Sequence, residues 1–349
     1  MTYYQDAIEF GNLYKGLKKS CKNVRWKDSV VGYEANGLRN TYKLRQDLIS
    51  GKYQISPYQI FQIHEPKERT IVATRIRDRQ FQRSLCDAGF YKDMVDSFIT
   101  DNPACQKEKG TTYTHKRMIA HLRKYNQKYG NKGWVLKCDI HHFFPTTSHE
   151  VAKAAVRKNA TDPDAIKAVC NVIDSFEGDC GIGLGSQISQ LVELAVLNDL
   201  DHFIKEVLRV KHYVRYMDDF VLFHPDKAFL QYCLKEINAH VEALGLKLNG
   251  KTTIYPMSQG IKMIKWRFVI TDSGRILQLM DKKKPAEQRK KLAKLWEKEM
   301  AGQVAKGTTQ KSLEAWLANA DRGDTYALQQ RMKEYFQELT KGGKGNEQQ

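Results

Sequence analysis

Three acidic side chains in two short segments have the type and setting needed to bind divalent metal ions. Asp218 and Asp219 are adjacent and lie between two strand-like runs, 212–215 and 220–223. Because β-branched and aromatic residues favour strands and aspartate favours turns, this pattern predicts a hairpin whose turn presents both carboxylates. Adjacent carboxylates repel each other, and hard oxygen ligands favour Mg²⁺ or Mn²⁺. An acidic surface turn is the alternative interpretation of this segment when it is taken alone.

A third carboxylate, Asp139, ends the short apolar segment 134–140, which we predict to be a buried strand. Nucleotidyl transfer by two metals needs carboxylates from two separate strands, so that one ion activates a 3′-hydroxyl and the other stabilises the departing pyrophosphate. Helical segments fill the interval between Asp139 and Asp218. Both acidic strands can therefore lie in one sheet, and we predict that the three carboxylates converge.

The elements that must position these residues follow from periodicity and from Gly and Pro breaks. A hairpin is predicted from 58–64 and 69–72, with its first arm half-buried because it alternates apolar and polar residues. Helices are predicted at 14–19, 32–50, 75–87, 148–158, 164–175, 187–208, 226–244, 288–300 and 312–338. Beyond residue 270 the chain is Lys-rich and expected to be helical, with Trp296 and Trp316 in its core. The Gly-rich tail 341–349 is expected to be disordered.

Composition narrows the class of protein. The chain has 349 residues, and its 57 Lys and Arg against 40 Asp and Glu give a net charge of +17. A chain this basic usually binds a polyanion, most often nucleic acid, although charge that serves only solubility is the alternative. No apolar run has membrane-spanning length, and the start lacks signal-peptide features. The seven scattered cysteines have no CxxC spacing, which favours reduced thiols in the cytoplasm, with no zinc site and no disulfides.

The order of several motifs across 55–270 resembles that of bacterial reverse transcriptases. The tetrapeptide Tyr216-Met217-Asp218-Asp219 is similar to the Tyr-x-Asp-Asp hairpin of that family. Segments similar to further family motifs are 65–71 with 75–79 (fingers), 104–111, 137–144 (palm), 181–190, 246–252 and 260–266 (primer grip). The chain departs from the usual family residues at Gln106, Gly183 and Lys265.

The resemblance implies an α+β fold, the right-hand polymerase with fingers, a palm built on an antiparallel sheet, and a helical thumb. The implied boundaries are N-terminal helices and fingers in 1–133, palm in 134–272 with a helical fingers insertion at about 148–180, and thumb in 273–340. The basic clusters 282–284 and 289–291 would lie on the thumb and hold the phosphates of a duplex.

Site residues are implied in the same way. The metal set would be Asp139, Ile140, Asp218 and Asp219, holding two Mg²⁺ ions for which Mn²⁺ can substitute, with Asp219 in a supporting role. Lys251 would lie near the pyrophosphate as a general acid.

Substrate contacts form a second implied set. Lys67 and Arg69 would approach the triphosphate, and Phe144 would exclude a 2′-hydroxyl, while Phe143 fills the core. Within the segment 181–190, Ser186 or Ser189 would start the next helix, and glycines would allow close approach of nucleotide or template. The remaining predicted substrate contacts are Gly185, Gln190 and Tyr216.

The resulting prediction is an RNA-directed DNA polymerase that takes an RNA template and dNTPs and makes DNA, in a bacterial retroelement or antiviral defence system. A structured non-coding RNA, an accessory protein or a second copy of the chain are the expected partners, without a membrane. Alternatives are a non-catalytic RNA-binding protein on the same fold and an RNA-dependent RNA polymerase. Leu184 and the ending Ser189-Gln190 resemble error-prone enzymes of diversity-generating retroelements, so low fidelity is a hypothesis that a misincorporation assay on Leu184→Gln tests.

Overall fold

The computed structural model describes residues 2–64, 68–183 and 185–341. Its helices are α1 (Tyr3–Ile8), α2 (Phe10–Cys21), α3 (Asp28–Ala35), α4 (Gly37–Ile49), α5 (Ile76–Leu85), α6 (Tyr91–Asp96), α7 (Thr111–Tyr129), α8 (Phe143–Thr146), α9 (His149–Asn159), α10 (Pro163–Asp174), α11 (Gln187–Val196), α12 (Asn198–His202), α13 (Lys227–Ala243), α14 (Lys283–Met300), α15 (Thr308–Ala320) and α16 (Tyr326–Lys341). Its strands are β1 (Gln59–Ile63), β2 (Arg69–Ala73), β3 (Trp134–Asp139), β4 (Tyr213–Tyr216), β5 (Asp219–His224), β6 (Thr253–Pro256), β7 (Ile261–Met263), β8 (Trp266–Ile270) and β9 (Ile276–Met280).

The strands form three sheets. The β1–β2 hairpin is antiparallel, with Gln59 opposite Ala73 and Ile63 opposite Arg69. A four-stranded sheet has the order β4-β5-β3-β6, so the two strands that bear the acidic residues are neighbours. The third sheet, in the order β7-β8-β9, is also antiparallel.

Three predicted helices are interrupted. The helix predicted at 32–50 is two helices, because Asn36 leaves helical geometry (φ −100°, ψ 28°). The helix predicted at 187–208 breaks at Leu197 (φ −94°, ψ 6°) and ends in a π-helical turn. The helix predicted at 312–338 is divided between α15 and α16 by a turn that contains Gly323. A Cβ at Gly323 would lie 2.3 Å from Cζ3 of Trp266, so the close packing of this turn against the indole ring requires glycine there.

Three further expectations were wrong or incomplete. The first arm of the hairpin is exposed instead of half-buried, with Ile60 64% and Phe61 45% exposed. The 19-residue helix α7 was not predicted, and it carries polar and aromatic residues on most of its surface. In the Lys-rich region expected to be helical, β9 precedes the first helix because it pairs along its length with β8.

The described residues divide into two compact units. The first is built from Met1–Gly110, Lys137–Phe220 and Gln231–Thr252. An extensive apolar core joins the N-terminal helices to α9, α10 and α11, since one cluster contains Leu13, Phe81, Val169 and Leu191. The segment 148–180 therefore shares its core with the N-terminal helices.

The second unit is built from Thr111–Leu136, Val221–Leu230 and Thr253–Gln349. Leu292, Leu313 and Met332 bring α14, α15 and α16 together around a small core. Trp316 packs against that core, as the sequence predicts. Across the described ranges, no helix combines the length and the apolar character that a bilayer crossing requires.

Candidate active site

The acidic residues meet where β3 ends and the β4–β5 hairpin turns. Asp139 is the last residue of β3, Asp219 is the first of β5, and Asp218 lies in the turn. The main-chain N–H of Ile140 donates to the carbonyl of Asp218 at 3.3 Å, which joins the end of β3 to the turn. Met217 has a φ of 60°, a left-handed conformation that a non-glycine residue rarely adopts and that gives the turn its shape. The structure thus brings the two predicted acidic segments together.

The electrostatics of the site are those of repelling acids in a partly buried setting. Burial raises the pKa of Asp218, and the charges of Asp139 and Asp219 raise it further, while Arg69 lowers it. Burial also raises the pKa of Asp219, against the opposing effect of Lys137. Each carboxylate would be easier to ionise with a cation nearby, because a cation offsets both the burial and the repulsion.

Two neighbouring side chains hold the acids in place. Lys137 Nζ lies 3.2 Å from both carboxylate oxygens of Asp219 and donates a hydrogen bond to Oδ2. Asn249 Nδ2 donates to Oδ2 of Asp139 at 2.9 Å, and the Asn249 main-chain N–H donates to the Asp139 carbonyl at 2.7 Å. Neither residue was predicted from the sequence to take part in the site, although both lie in the predicted motifs 137–144 and 246–252. An asparagine followed by glycine was the available signal, since it favours a turn.

The donor set suits a hard divalent ion, although it is not preassembled. Among the described residues, no group of three or more His, Cys, Asp or Glu side chains forms a metal cluster. Asp219 Oδ1 is nonetheless buried, and among the described residues it has the ion-pair contact to Lys137 at 3.2 Å but accepts no hydrogen bond. Carboxylate oxygens are ligands that Mg²⁺ and Mn²⁺ prefer, so the residues fit the ion, with Lys137 and Asn249 as the contacts that would adjust.

The predicted contacts to the triphosphate and pyrophosphate lie on exposed segments. Arg69 begins β2, is exposed, and lies near enough to Asp218 for its charge to lower that pKa. Lys67 lies outside the described residues. Lys251 is exposed in the turn after Asn249, whose Oδ1 accepts the Lys251 main-chain N–H at 3.1 Å.

The two adjacent phenylalanines after β3 occupy different environments. Phe143 is 2% exposed and belongs to the core, as predicted, whereas Phe144 is half-buried. Both lie in the four-residue helix α8, which begins after His142 in a left-handed conformation (φ 45°). The main-chain N–H of Ile182 donates to the Phe144 carbonyl at 2.9 Å, and this bond fixes the backbone that carries the Phe144 ring.

The glycine-rich segment before α11 packs against β2. A Cβ at Gly183 would lie 2.5 Å from Cε1 of Phe176 and 2.9 Å from Cβ of Val72, and one at Gly185 would lie 3.2 Å from the carbonyl oxygen of Val72. The close approach that these glycines allow is therefore to the protein itself. Leu184 lies outside the described residues.

The helix that follows begins as predicted. Ser186 caps α11, since its hydroxyl accepts from the main-chain N–H groups of Ile188 and Ser189, whereas Ser189 lies inside the helix. Gln190 lies in the first turn of α11, and together with Gly185 it lines a cavity of about 430 Å³. Tyr216 ends β4 half-buried against the main core, and burial raises the pKa of its hydroxyl.

A buried glutamate of α11, Glu193, was missed by the sequence reasoning. Thr147 Oγ1 lies 2.9 Å from the Phe143 carbonyl oxygen and 3.0 Å from Glu193 Oε2, yet a hydroxyl carries one hydrogen. If that hydrogen goes to the carbonyl, the proton in the second bond must come from Glu193. Burial agrees with this, because it raises the pKa of Glu193 well above its usual value, and the charge of Asp218 raises it further. The shared hydroxyl of Thr147 and the buried setting both favour the protonated form of Glu193.

In the second unit, the primer-grip segment is a hairpin. Between β7 and β8, Ile264 (φ 48°) and Lys265 (φ 66°) form a two-residue turn in left-handed conformations, so the departure at Lys265 does not prevent the hairpin. The basic residues of the predicted thumb lie at the start of α14. Lys282, Lys283, Arg289, Lys290 and Lys291 are exposed.

Comparison with known proteins identifies the class of protein that this fold and site define. The chain belongs to the reverse transcriptase (RNA-dependent DNA polymerase) family, whose model matches residues 66–288. By family the protein is an RNA-directed DNA polymerase, an enzyme that uses an RNA template and makes DNA. A similar curated protein is "Protein YkfC" of Escherichia coli strain K12, 24% identical over 315 residues that cover 76% of this chain and 81% of that protein.

Solved structures that are similar to this chain include telomerases. The Candida albicans telomerase, solved with a TWJ fragment of telomeric RNA, matches with a TM-score of 0.51 and 14% identity over 83% of this chain. This chain spans 55% of the length of that telomerase chain. Apo telomerase of Candida tropicalis matches with a TM-score of 0.49 and 11% identity, over 68% of this chain and 53% of the other. The first match confirms the predicted mixed fold of the right-hand polymerase type.

Proposed function

We propose that the protein copies RNA into DNA by two-metal nucleotidyl transfer at the junction of β3 with the β4–β5 turn. The observation that carries this proposal is the main-chain bond from Ile140 to Asp218, which sets the Asp139 and Asp218 carboxylates close enough for one charge to raise the pKa of the other. Two strand ends that hold repelling acids together are the arrangement that two bridged cations require.

Asp139, Asp218 and Asp219 are the residues that would hold the two Mg²⁺ or Mn²⁺ ions. Ile140 has only its main-chain carbonyl oxygen to contribute. Ions held by these carboxylates would supply two things, a lower pKa for the attacking 3′-hydroxyl and stabilisation of the charge on the leaving pyrophosphate. Before then, Asn249 orients Asp139, and Lys137 offsets the charge of Asp219.

The remaining roles belong to residues around the carboxylates. Arg69 is proposed to attract the incoming triphosphate, together with Lys67, and Lys251 is proposed as a proton donor to pyrophosphate. Phe144 is proposed to pack under the sugar and disfavour a 2′-hydroxyl. Gly185, Gln190 and Tyr216 are proposed as contacts to nucleotide or template. Domain boundaries of 1–133 for fingers, 134–272 for palm and 273–340 for thumb complete the proposal.

A primer-extension assay on an RNA template tests the chemistry. Asp218→Ala should abolish dNTP incorporation while the thermal unfolding midpoint stays near that of the wild type, because the change removes a repelling charge. Asp226→Ala, at the far end of the hairpin after β5, is the matched aspartate control and should retain synthesis. Synthesis by Asp218→Ala at the wild-type rate would refute the assignment. Incorporation of rNTPs in preference to dNTPs would instead favour an RNA polymerase.

We further propose a bacterial cytoplasmic setting, in a retroelement or an antiviral defence system. Support comes from the Escherichia coli relative and from the motif resemblance around Leu184 and Ser189-Gln190. A structured RNA, with an accessory protein or a second copy of the chain, would be the partner. The genes beside the coding sequence discriminate the two settings, since a variable-repeat target indicates diversification and a cluster of defence genes indicates immunity.

A further inference from the structure

Arg215, three residues before Asp218, is among the largest fully buried side chains of the protein, at 0% exposure. Its guanidinium donates two hydrogen bonds to the equally buried carboxylate of Asp201 on α12 and forms a bidentate ion pair with it. Nε lies 2.7 Å from Oδ1, and Nη2 lies 2.5 Å from Oδ2. Neither residue entered the prediction of the site from sequence. Both lie within the first unit.

The remaining donors of the same guanidinium reach two main-chain carbonyls. Nη1 donates to the carbonyl of Met217 at 2.9 Å, and Nη2 donates to that of Leu194 on α11 at 3.2 Å. Met217 immediately precedes Asp218 and has the left-handed φ of 60°. One rigid planar group thus joins two buried helices to the one residue of the turn that is held in an unfavourable conformation.

A buried ion pair is by itself weak support for stability, because removing both charges from water offsets most of their attraction. The guanidinium supplies a fixed hydrogen-bond donor to the Met217 carbonyl, which an apolar side chain would not supply. The peptide plane after Met217 leads directly into Asp218, so the direction of that carbonyl determines where the Asp218 backbone begins.

We propose that Arg215, held by Asp201, is a positioning residue of the active site. It locks the Met217 carbonyl and thereby presents the Asp218 carboxylate toward Asp139 before metal or nucleotide arrives. The inference rests on the proposed function of Asp218, and it predicts that the geometry of the turn depends on Arg215 in the metal-free protein.

Tyr213 provides a matched control. Its hydroxyl, also fully buried, donates to Oδ1 of Asp201 at 2.6 Å, and it therefore shares the carboxylate without bonding the turn. Tyr213→Phe removes one bond of the network and keeps the guanidinium in place. Arg215→Lys keeps the positive charge, but an ammonium cannot span Asp201 and the Met217 carbonyl with the same planar fork.

The first measurement is hydrogen–deuterium exchange of the metal-free protein over the peptide that contains 216–220. Arg215→Lys should raise the exchange rate there about tenfold, because the locking bond is lost, whereas Tyr213→Phe should leave it within about twofold of the wild type. The second is primer extension with varied dNTP and Mn²⁺. Arg215→Lys should lower kcat by about a hundredfold, with the KM for dNTP changed much less, because misplacement of about 1 Å is that costly.

If Arg215→Lys does not fold, Arg215→Met with Asp201→Leu removes both charges together and decides the question. Loss of kcat in this folded double variant supports the proposal. Wild-type exchange and wild-type kcat in either Arg215 variant overturn it, as does an equal loss of kcat in Tyr213→Phe. If Asp218→Ala retains synthesis while Arg215→Lys still loosens the turn, the proposed chemistry fails and the structural role of Arg215 stands.

Discussion

Asn249 contacts Asp139 twice, once through its side-chain amide at 2.9 Å from Oδ2 and once through its main-chain N–H at 2.7 Å from the carbonyl. The two residues are 110 positions apart in the chain. The pair of bonds holds both the backbone and the carboxylate of Asp139, the first of the proposed metal-binding aspartates, so we count Asn249 as part of the candidate site.

Asn249→Ala should keep the main-chain bond and release the Asp139 carboxylate. We expect kcat for primer extension to fall by about tenfold or more, since a hydrogen bond to a charged group is worth about 1.5–3 kcal/mol. Steady-state kinetics at saturating Mn²⁺ measures the change in kcat. Asn238→Ala is the matched control, because Asn238 makes a similar amide-to-carboxylate bond to Glu242 on the exposed face of α13. Equal kinetics of the two variants would show that the Asn249 bond is incidental.

Phe144→Ala should increase rNTP incorporation relative to dNTP by at least about tenfold, because an open space under the sugar admits a 2′-hydroxyl. Phe143→Ala changes the neighbouring ring and should instead destabilise the fold by about 3–5 kcal/mol, since Phe143 is a core residue. Single-nucleotide incorporation gives the first quantity and urea unfolding the second. If Phe144→Ala keeps the wild-type preference for dNTP over rNTP, Phe144 does not exclude the 2′-hydroxyl as proposed.

Glu193→Gln should remove a decrease in the free energy of unfolding that the wild type shows as the pH rises. A carboxyl whose folded-state pKa is raised is protonated in the native protein while the unfolded chain is already ionised. Stability therefore falls as pH rises from near the ordinary glutamate value of 4.5 up to the raised folded value. The amide of glutamine donates to Thr147 as the neutral acid does and does not titrate.

In chelator-containing buffer, the wild type should lose about 1.4 kcal/mol relative to Glu193→Gln for each pH unit within that window. Urea unfolding at pH 5 and pH 8 measures the difference. Glu177→Gln makes the same change at an exposed position and leaves Glu193 in place, so its free energy of unfolding should follow the pH profile of the wild type. Parallel pH profiles for wild type and Glu193→Gln would mean that Glu193 is ionised in the native state.

Two glycines of α2 should respond to alanine with opposite signs. Gly11 has open space around its Cβ position, so Gly11→Ala should stabilise the protein by about 0.5–1 kcal/mol through helix propensity. At Gly16 a Cβ would lie 2.6 Å from the carbonyl oxygen of Gln80 on α5, and Gly16→Ala should destabilise by about 1–3 kcal/mol. Thermal unfolding of both variants checks the signs, and stabilisation by Gly16→Ala would contradict the tight packing of the two helices.

Local sequence was enough to predict elements whose signals are short in range. The hairpin turn at Asp218, the end of β3 at Asp139 and the helix start at Ser186 were predictable from residue type and immediate neighbours. The exposure of β1 was not predictable, because an alternating pattern indicates a buried face only if another layer covers it, and Ile60 and Phe61 remain exposed. Helix breaks at Asn36 and Leu197 also escaped periodicity, since apolar spacing continues across them.

The sequence by itself was enough to recognise the family's motifs, to single out the three acids and to predict the class of reaction, because carboxylates on two predicted strands of a strongly basic chain restrict the chemistry. Only the tertiary structure decided which side chains surround those acids. Asn249 and Lys137 bond Asp139 and Asp219 across 110 and 82 positions of the chain, while Arg215 bonds Asp201 and Glu193 bonds Thr147 in the buried interior. Such contacts depend on how strands and helices pack against one another, and the residues next to each other in the chain do not reveal that packing.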